Sequence, residues 1–437
     1  MVYIDINGNE YNSLEDIPEG AVFDELDLSS MLFTVLPEKL STLTVRNLNL
    51  LGCRDLTSLK RLPQGLEILY CRECSELYSL ENLPEGLKEL DCRDCPNLTS
   101  LGSLPEGLKK LDCSLTYITS LEGLPEGLEK LDCSRCLNLT SLEGLPQGLE
   151  ILHCRECSEL DSLEGLPEGL KELDCRDCPN FTSLKGLPED LKVLNCSYTH
   201  ITSLEGLPEG LKVLDCNCTG ITSLKGLPKG LEKLDCSSCK KITSLEDLPK
   251  ELKELNCNNT NITSLKVLPK GLEKLDCHDC PNLTSLKGLP EDLKVLKCGW
   301  TNITSLEGLP KELKELDCSN THITSLGSLP KKLKELDCDN CHSLTSLKGC
   351  PESLRKICCR RCDSLTSLEG VPKIVKMIDC YGCDNLKYIP DYIPDNVIRG
   401  LSQEKIAECR ANWGKVRERK KASEQQRAVI TKRFMGR

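Results

Sequence analysis

A cysteine that returns every 20 or 21 residues is the feature that most constrains what this chain can fold into. Residues 83–101 read LPEGLKELDCRDCPNLTSL, and close copies follow until about residue 398. Leu28 and Leu50 take the cysteine's place in two degenerate early copies, which makes 18 copies in all. A fixed period of this length predicts a solenoid. In the other copies the place is held by Cys71, Cys92, Cys113, Cys133, Cys154, Cys175, Cys196, Cys216, Cys236, Cys257, Cys277, Cys298, Cys318, Cys338, Cys359 and Cys380.

The pattern inside each copy predicts one strand per coil. Leu90 and Cys92 alternate with charged residues, which is the period of a half-buried strand. Stacked coils then form a parallel sheet on the concave face, with strands about 4.8 Å apart. A proline such as Pro105 restricts the returning side of each coil to extended or turn geometry. We therefore predict a repeat solenoid with an extended or turn-rich convex face and little helix outside the C-terminal tail.

The repeat also carries a family resemblance. Its pattern, LxxLxCxxCxxL or LxxLxCxxTxI, resembles the leucine-rich repeat. The proline-containing LPEGL form looks most like the short repeats of bacterial effector proteins that are delivered into host cells, and similar repeats occur in large DNA viruses. Some of these effectors carry a C-terminal ubiquitin-ligase domain of several hundred residues. Only about 40 residues follow the last coil here, so we expect that domain to be absent and the resemblance implies a binding scaffold.

The 31 cysteines divide by their position in the repeat. Sixteen lie at the inward strand position, and eleven lie at a corner three residues later. Such CxxC pairs also occur in zinc sites. In six coils, however, threonine replaces the corner cysteine and the segment is one residue shorter. We therefore predict that the corner cysteines fill the core as small hydrophobic groups, that threonine hydrogen-bonds the turn backbone there, and that the chain holds neither metal nor cofactor.

The cysteines and the distribution of apolar residues indicate where in a cell the protein would reside. Reduced, buried thiols are typical of a cytoplasm, either that of the producing cell or that of a host cell. The sequence contains no stretch of 18 apolar residues, so we predict no membrane-spanning segment. The first residues do not resemble a cleaved signal peptide.

The chain divides into three predicted segments. Residues 1–22 contain a hairpin around Asn7 and Gly8 that caps the first coil. Residues 23–398 form the solenoid, and residues 399–437 form a tail of net charge +8, against −20 for the rest. Apolar residues at helical spacing predict that the tail begins as an amphipathic helix closing the last coil, with residues 417–427 solvated or frayed. This tail could bind nucleic acid or anionic lipid, act as a solubilising cap, or fold back on the acidic solenoid.

Aspartate recurs at the outward strand position between the leucine and the cysteine. In register these side chains would form an acidic row along the concave face, partly offset by flanking lysines and arginines. Two interpretations remain open: a solvated face that neutralises itself, or a docking surface for a basic protein. Tyr198 and Trp300 are candidate exposed anchors, although five coils separate them. The candidate partner-binding residues are Asp91, Asp112, Asp132, Asp174, Asp215, Asp235, Asp276, Asp317, Asp337, Tyr198 and Trp300.

No catalytic constellation is apparent, because the five histidines fall on scattered coils without a nucleophile and an acid in register. The sequence therefore predicts a non-catalytic protein-interaction module that binds a basic partner on its concave acidic face. The alternative is a structural or assembly protein that uses its basic tail to contact an anionic partner.

Overall fold

One short parallel strand per coil is the recurring element of the computed structural model, which describes the backbone of residues 3–4, 7–102 and 104–435 and the side chains of residues 7–102 and 104–425. The middle residue of each strand points into the core. Leu90 is 2% exposed and Leu194 is fully buried, and the cysteine that follows each strand is buried as well. The alternation of leucine and cysteine with charged residues therefore places the core as predicted.

The chain divides into two compact units, Met1–Asp235 and Cys236–Arg437. Together they contain about 18 solenoid turns with one strand per turn. The first unit contains β1 (Tyr3–Ile4), β2 (Glu10–Tyr11), β3 (Val22–Asp27), β4 (Thr44–Asn49), β5 (Ile68–Tyr70), β6 (Glu89–Asp91), β7 (Lys110–Asp112), β8 (Lys130–Asp132), β9 (Ile151–His153), β10 (Glu172–Asp174), β11 (Val193–Asn195), β12 (Val213–Asp215) and β13 (Lys233–Asp235). The second contains β14 (Glu254–Asn256), β15 (Lys274–Asp276), β16 (Val295–Lys297), β17 (Glu315–Asp317), β18 (Glu335–Asp337), β19 (Lys356–Cys358), β20 (Met377–Asp379), β21 (Ile398–Arg399) and helix α1 (Gln403–Met435).

Consecutive strands pair in parallel within each unit, from β3 to β13 in the first and from β14 to β21 in the second. The rest of each coil is turn and extended chain. Short 3-10 helices occur at Leu14–Asp16, Glu38–Thr42 and Asp395–Val397. The predicted solenoid with little helix outside the tail is confirmed.

The longer coils close their corner with a cysteine. The Cys178 thiol donates to the Cys154 carbonyl oxygen of the preceding coil at 3.1 Å, and the Phe181 N–H closes a local turn onto the Cys178 carbonyl at 3.2 Å. The corner cysteine is thus more than the small hydrophobic group that the sequence predicts, because its thiol also ties two coils together.

The shorter coils close the same corner within themselves. The Thr199 hydroxyl donates to the Cys196 carbonyl of its own coil at 2.7 Å, as predicted for threonine. The next N–H, that of His200, donates to the Phe181 carbonyl of the preceding coil at 3.1 Å. The long coil therefore has one more residue because its corner is closed by a turn within the coil, whereas in the short coil the corresponding N–H bonds to the preceding coil.

The residue before each corner is held at positive φ whatever its type. The values run from 51° at Arg361 to 72° at Gly382, and Leu115, Tyr198 and Trp300 are among the bulky examples. Left-handed backbone costs roughly 1–2 kcal/mol for residues with a Cβ. Turn closure therefore imposes this conformation. Because most of these residues are not glycine, the positive φ could not be predicted from the sequence.

The predicted N-terminal hairpin is described only in part, because residues 2, 5 and 6 lie outside the described residues. β1 pairs with β2 antiparallel, with Tyr3 opposite Tyr11. The Tyr11 ring lies 6.5 Å from the ring of Phe23 in β3, which brings this segment against the first coil.

Helix α1 begins after Ser402, whose hydroxyl accepts the Lys405 N–H at 3.2 Å in an N-cap hydrogen bond. Ile406 is 2% exposed and Cys409 is fully buried, so this face packs on the last coil. Of the two states predicted for residues 417–427, solvated or frayed, the backbone does not show the second, since the helix runs to Met435 without a break at Gly414. The described side chains from Arg417 onward are exposed, as expected.

Candidate partner-binding surface

The third residue of each strand from β6 to β20, together with Arg399 of β21, forms a continuous row within each unit, which we call the acidic ladder. Strand register sets each of these residues beside the next, for example Asp91 beside Asp112 and Asp317 beside Asp337. In unit 1 the ladder consists of Asp91, Asp112, Asp132, His153, Asp174, Asn195, Asp215 and Asp235. In unit 2 it consists of Asn256, Asp276, Lys297, Asp317, Asp337, Cys358, Asp379 and Arg399.

The ladder side chains also close the turn that ends each strand. One oxygen accepts the N–H two residues later, at 2.9 to 3.4 Å, which is an Asx turn. Asparagine does this as well as aspartate, which explains why the two residue types share the position. The residues whose side-chain oxygen makes this bond are Asp91, Asp112, Asp132, Asp174, Asn195, Asp215, Asn256, Asp276, Asp317, Asp337 and Asp379.

Several ladder carboxylates are neutralised by basic side chains. Arg72 Nε lies 2.6 Å from Asp91 Oδ2, and Arg93 Nη2 lies 3.0 Å from the same oxygen. Asp174 lies 2.9 Å from Arg155 Nε. Asp91 is buried and the other groups are half-buried, so the pairs are better shielded from solvent than exposed ones.

Basic side chains also neutralise ladder carboxylates at two positions in unit 2. Lys297 Nζ lies 3.3 Å from Asp276 Oδ2, and Arg360 Nε lies 3.2 Å from Asp379 Oδ2. A large part of the ladder is therefore the self-neutralised face that the first interpretation predicts.

His153 neutralises its neighbours in unit 1. Its ring nitrogens lie 3.4 Å from Asp132 Oδ2 and 3.4 Å from Glu172 Oε1. Burial opposes ionisation of Asp132, but hydrogen bonds from His153 and Ser134 outweigh burial and lower the pKa of Asp132 to about 2. The hydrogen bond to Asp132 in turn raises the pKa of His153. Among the described residues, no hydroxyl or thiol hydrogen-bonds to this imidazole, so the cluster reads as a charge pair rather than as a nucleophile with its base.

Three ladder aspartates stand without a counter-charge. No basic group of the described chain lies within ion-pair distance of Asp215, Asp317 or Asp337. Burial is the main cause that raises the pKa of Asp215, and the charges of Asp235 and Asp174 add to it. Burial likewise raises the pKa of Asp337 to about 6. Within the described residues, these three ladder carboxylates are therefore not neutralised by an ion pair.

Asp317 and Asp337 line a shallow depression of about 120 Å³ on the strand face of unit 2. Its walls include Val295 and Glu315, and Cys358 lies at one end. The depression is open to solvent on one side and large enough for the end of one long side chain. The two carboxylates lie on adjacent strands in register, about 5 Å apart at their backbones.

The pKa of Asp337 leads to a testable pH dependence. The groups that face it are Glu315 and Asp317 on one side, Lys356 and Cys358 on the other, with Asp339 and Arg360 at the turn. Because its folded pKa lies above the unfolded value, the charged carboxylate destabilises the fold, and stability falls as pH rises from about 4 to about 6. We expect Asp337→Asn to raise the melting temperature more at pH 8 than at pH 4.5. An equal effect at both pH values would contradict the assigned cause.

Tyr198 and Trp300 both occupy the positive-φ position before a corner threonine, at 55% and 56% exposure. The Trp300 ring lies 6.5 Å from the ring of His278. The two aromatic residues belong to different units. Each is therefore treated as a separate candidate anchor.

All the cysteines are buried except Cys218 and Cys350, which are half-buried. Burial is the main cause that raises the pKa of strand thiols such as Cys175 and Cys277 far above the ordinary range. A hydrogen bond from a strand thiol lowers the pKa of the corner thiols Cys136, Cys341 and Cys383, which are themselves buried. Nucleophilic and metal-binding cysteines act as accessible thiolates, so these environments favour a structural role.

Sequence analysis missed the first outward strand position. In unit 1 it carries lysine or glutamate on β6, β7, β8, β10 and β13 and isoleucine on β5 and β9, whereas the adjacent strands β11 and β12 carry Val193 and Val213. The two valines are register partners and half-buried. Valine on two adjacent strands, at a position that lysine or glutamate holds in most other coils, is the signal that would have revealed them.

A family model described as leucine-rich repeats in two copies matches residues 209–250. The comparison with curated proteins finds no significant match. In the described part of the chain, no helix combines the length and apolar character needed to cross a bilayer.

Solved structures resemble this one over most of the chain. YopM from Yersinia enterocolitica is 28% identical, with a TM-score of 0.63 over 86% of this chain and 91% of YopM. YopM from Yersinia pestis, a leucine-rich effector protein, is 25% identical, with a TM-score of 0.50 over 68% of this chain and 88% of its own. The functional domain of InlJ from Listeria monocytogenes, which includes a cysteine ladder, is 22% identical, with a TM-score of 0.51 over 82% and 73%. The chain thus contains leucine-rich repeats and has the parallel-strand solenoid fold of leucine-rich-repeat proteins, a fold typical of non-enzymatic protein-interaction modules.

Proposed function

We propose that this protein is a non-catalytic interaction module that binds a basic segment of a partner protein along the acidic ladder. The observation that carries the proposal is the set of ladder aspartates without counter-charges, Asp215 in unit 1 and Asp317 and Asp337 in unit 2, where most other carboxylates of each unit's ladder are paired. Desolvated carboxylates without a cation gain the most when a partner supplies one.

The similarity to YopM supports an effector-like role for this scaffold. The neutral buried thiols support residence in a reducing cytoplasm, that of the producing cell or of a host. The three predicted segments remain part of the proposal: a capping segment over 1–22, the interaction solenoid over 23–398 and the basic tail over 399–437.

The alternative of a tail that contacts an anionic partner is weakened by contacts within unit 2. Arg410 bonds to Asp395 and to the Pro390 carbonyl, the latter at 2.9 Å. Arg417 Nη1 lies 2.9 Å from Asp391 Oδ2. Part of the tail's positive charge is therefore already engaged with the last coil, and the proposal assigns the tail a capping role.

The test compares two double variants of equal net charge. Asp317→Asn with Asp337→Asn removes two carboxylates from the ladder, and asparagine keeps the oxygen that closes each turn. Glu291→Gln with Glu307→Gln removes two exposed carboxylates outside the strands and serves as the matched control. The probe is a fluorescently labelled hexa-arginine peptide, measured by anisotropy at low and at physiological ionic strength.

We expect the ladder variant to bind about five- to tenfold more weakly than the parent at low salt, since each lost pair is worth up to about 1 kcal/mol. Its affinity should also depend less on salt. The control should retain the parent's affinity within about twofold. If both variants lowered the affinity for the peptide equally, the ladder would contribute only net charge, and the proposal would be overturned.

A further inference from the structure

The strand face of unit 1 holds a mixed apolar and acidic patch around β11 and β12, formed by Val193, Asn195, Tyr198, Val213 and Asp215. Val193 lies beside Val213, and Asn195 lies beside Asp215 in the same register. Four of these side chains are half-buried, and that of Tyr198 is 55% exposed. The patch is thus part of the ladder face but differs from its neighbours in both polarity and charge balance.

Asp215 is the electrostatic centre of this patch. Its Oδ1 accepts the backbone and side-chain N–H groups of Asn217 at 3.1 and 2.7 Å. The arginines that follow β9 and β10 are both engaged with Asp174, because Arg155 Nε lies 2.9 Å from its Oδ2 and Arg176 Nε lies 3.6 Å from its Oδ1. The intervening ladder residue, Asn195, is neutral. A cation from outside therefore meets a carboxylate that no basic side chain of the described residues has neutralised.

Tyr198 lies on the turn beside this carboxylate. Its N–H donates to the Asn217 carbonyl at 3.0 Å, and the Asn217 amide reaches Asp215, which links the aromatic turn to the acidic position. Its φ of 56° is costly for a residue with a bulky side chain, whereas asparagine and aspartate occupy the same position in several other coils. An exposed tyrosine face beside a carboxylate can hold a guanidinium or ammonium group by a cation–π contact and an ion pair together.

The spacing of the patch defines what fits it. Val213 and Asp215 are two residues apart on one strand, so their side chains leave the same face about 6.6 Å apart. An extended segment has the same repeat between alternate side chains. If it lies along β12, one side chain falls on the two valines and the side chain two positions away falls on Asp215 and Tyr198.

We propose that this patch docks an extended partner segment in which an aliphatic residue and an arginine or lysine lie two positions apart. The inference rests on the proposed function of the acidic ladder. It adds which sequence of the partner segment the patch in unit 1 would recognise. The valines supply apolar area, and the carboxylate and tyrosine select the basic residue.

The test uses two labelled peptide isomers built on glycine and serine. One carries isoleucine and arginine two positions apart, and the other carries them at adjacent positions, so net charge and composition are equal. Binding is measured by titration with the full chain and with Val213→Ser, Asp215→Asn and Tyr198→Asn. Leu115→Asn is the control for the third variant, because it also replaces a large exposed side chain by asparagine at the positive-φ position of another coil in unit 1.

We expect the alternate-spaced isomer to bind the parent at least about fivefold more tightly than the adjacent-spaced isomer. Val213→Ser and Tyr198→Asn should remove this preference, and Leu115→Asn should keep it. If the parent binds both isomers equally while Asp215→Asn weakens both, the ladder acts by charge alone and this inference is overturned, but the proposed function stands. If Asp215→Asn leaves both affinities unchanged and the ladder double variant also leaves hexa-arginine binding unchanged, the proposed function itself fails.

Discussion

Replacing Gly288 by alanine is expected to destabilise unit 2 by about 2–3 kcal/mol. Gly288 has a φ of +105°, and an added Cβ would lie 2.6 Å from the Lys266 Cα and 2.8 Å from the Leu265 carbonyl oxygen of the preceding coil. Both atoms belong to the backbone, so relief requires the turn to rearrange. Val267 holds the corresponding position of that preceding coil without a positive φ, which shows that another turn exists and that the cost is a rearrangement rather than complete unfolding.

Gly271→Ala is the matched control. Gly271 belongs to the PxGL segment of the repeat, its φ is not positive, and nothing lies within 4 Å of an added Cβ. Glu251, Asp292, Glu312 and Lys332 hold the corresponding position in other coils of unit 2. We expect a change within about 0.5 kcal/mol, measured with Gly288→Ala by urea unfolding followed by far-UV circular dichroism. Equal midpoints for the two variants would refute the distinction between the two glycines.

Of these two glycines, the role of one could be predicted from the sequence and that of the other could not. The substitutions at the PxGL position predict that its glycine is not needed for a positive φ, and for Gly271 the structure agrees. The other glycine is fixed by close approach of the preceding coil, which depends on how coils stack. A repeat pattern defines which residues face the core, but it does not give the distance between one coil's backbone and the next.

The candidate surface divides in the same way. The register of the acidic ladder follows from the repeat, because parallel strands of equal coils bring equal positions together. The Asx turn was signalled by the exchange of aspartate and asparagine at one position, and sequence analysis did not use that signal. Which carboxylates keep their charge unpaired could not be predicted, because Arg72 reaches Asp91 from the preceding coil whereas Arg93 reaches it from the same strand end.

Replacing Ile406 by aspartate is expected to release helix α1 from the last coil, at a cost of about 3 kcal/mol or more. Ile406 is 2% exposed, and three residues later the buried Cys409 thiol donates to the Leu386 carbonyl at 3.3 Å. A carboxylate at Ile406 would have to lose its hydration without a partner or force the helix away. Release would expose Leu386 and Ile389, which are fully buried in the parent.

Ala411→Asp adds the same charge to the same helix on an exposed face and is the control. It should cost only a few tenths of a kcal/mol through helix propensity. The measurement is limited proteolysis followed by mass spectrometry, with hydrogen exchange of the last coil. Ile406→Asp should become sensitive to cleavage between Gln403 and Met435 and should lose amide protection at Ile389, whereas Ala411→Asp should resemble the parent. If both variants keep the parent's protection, the helix does not cap the solenoid, and the tail is again open to an anionic partner.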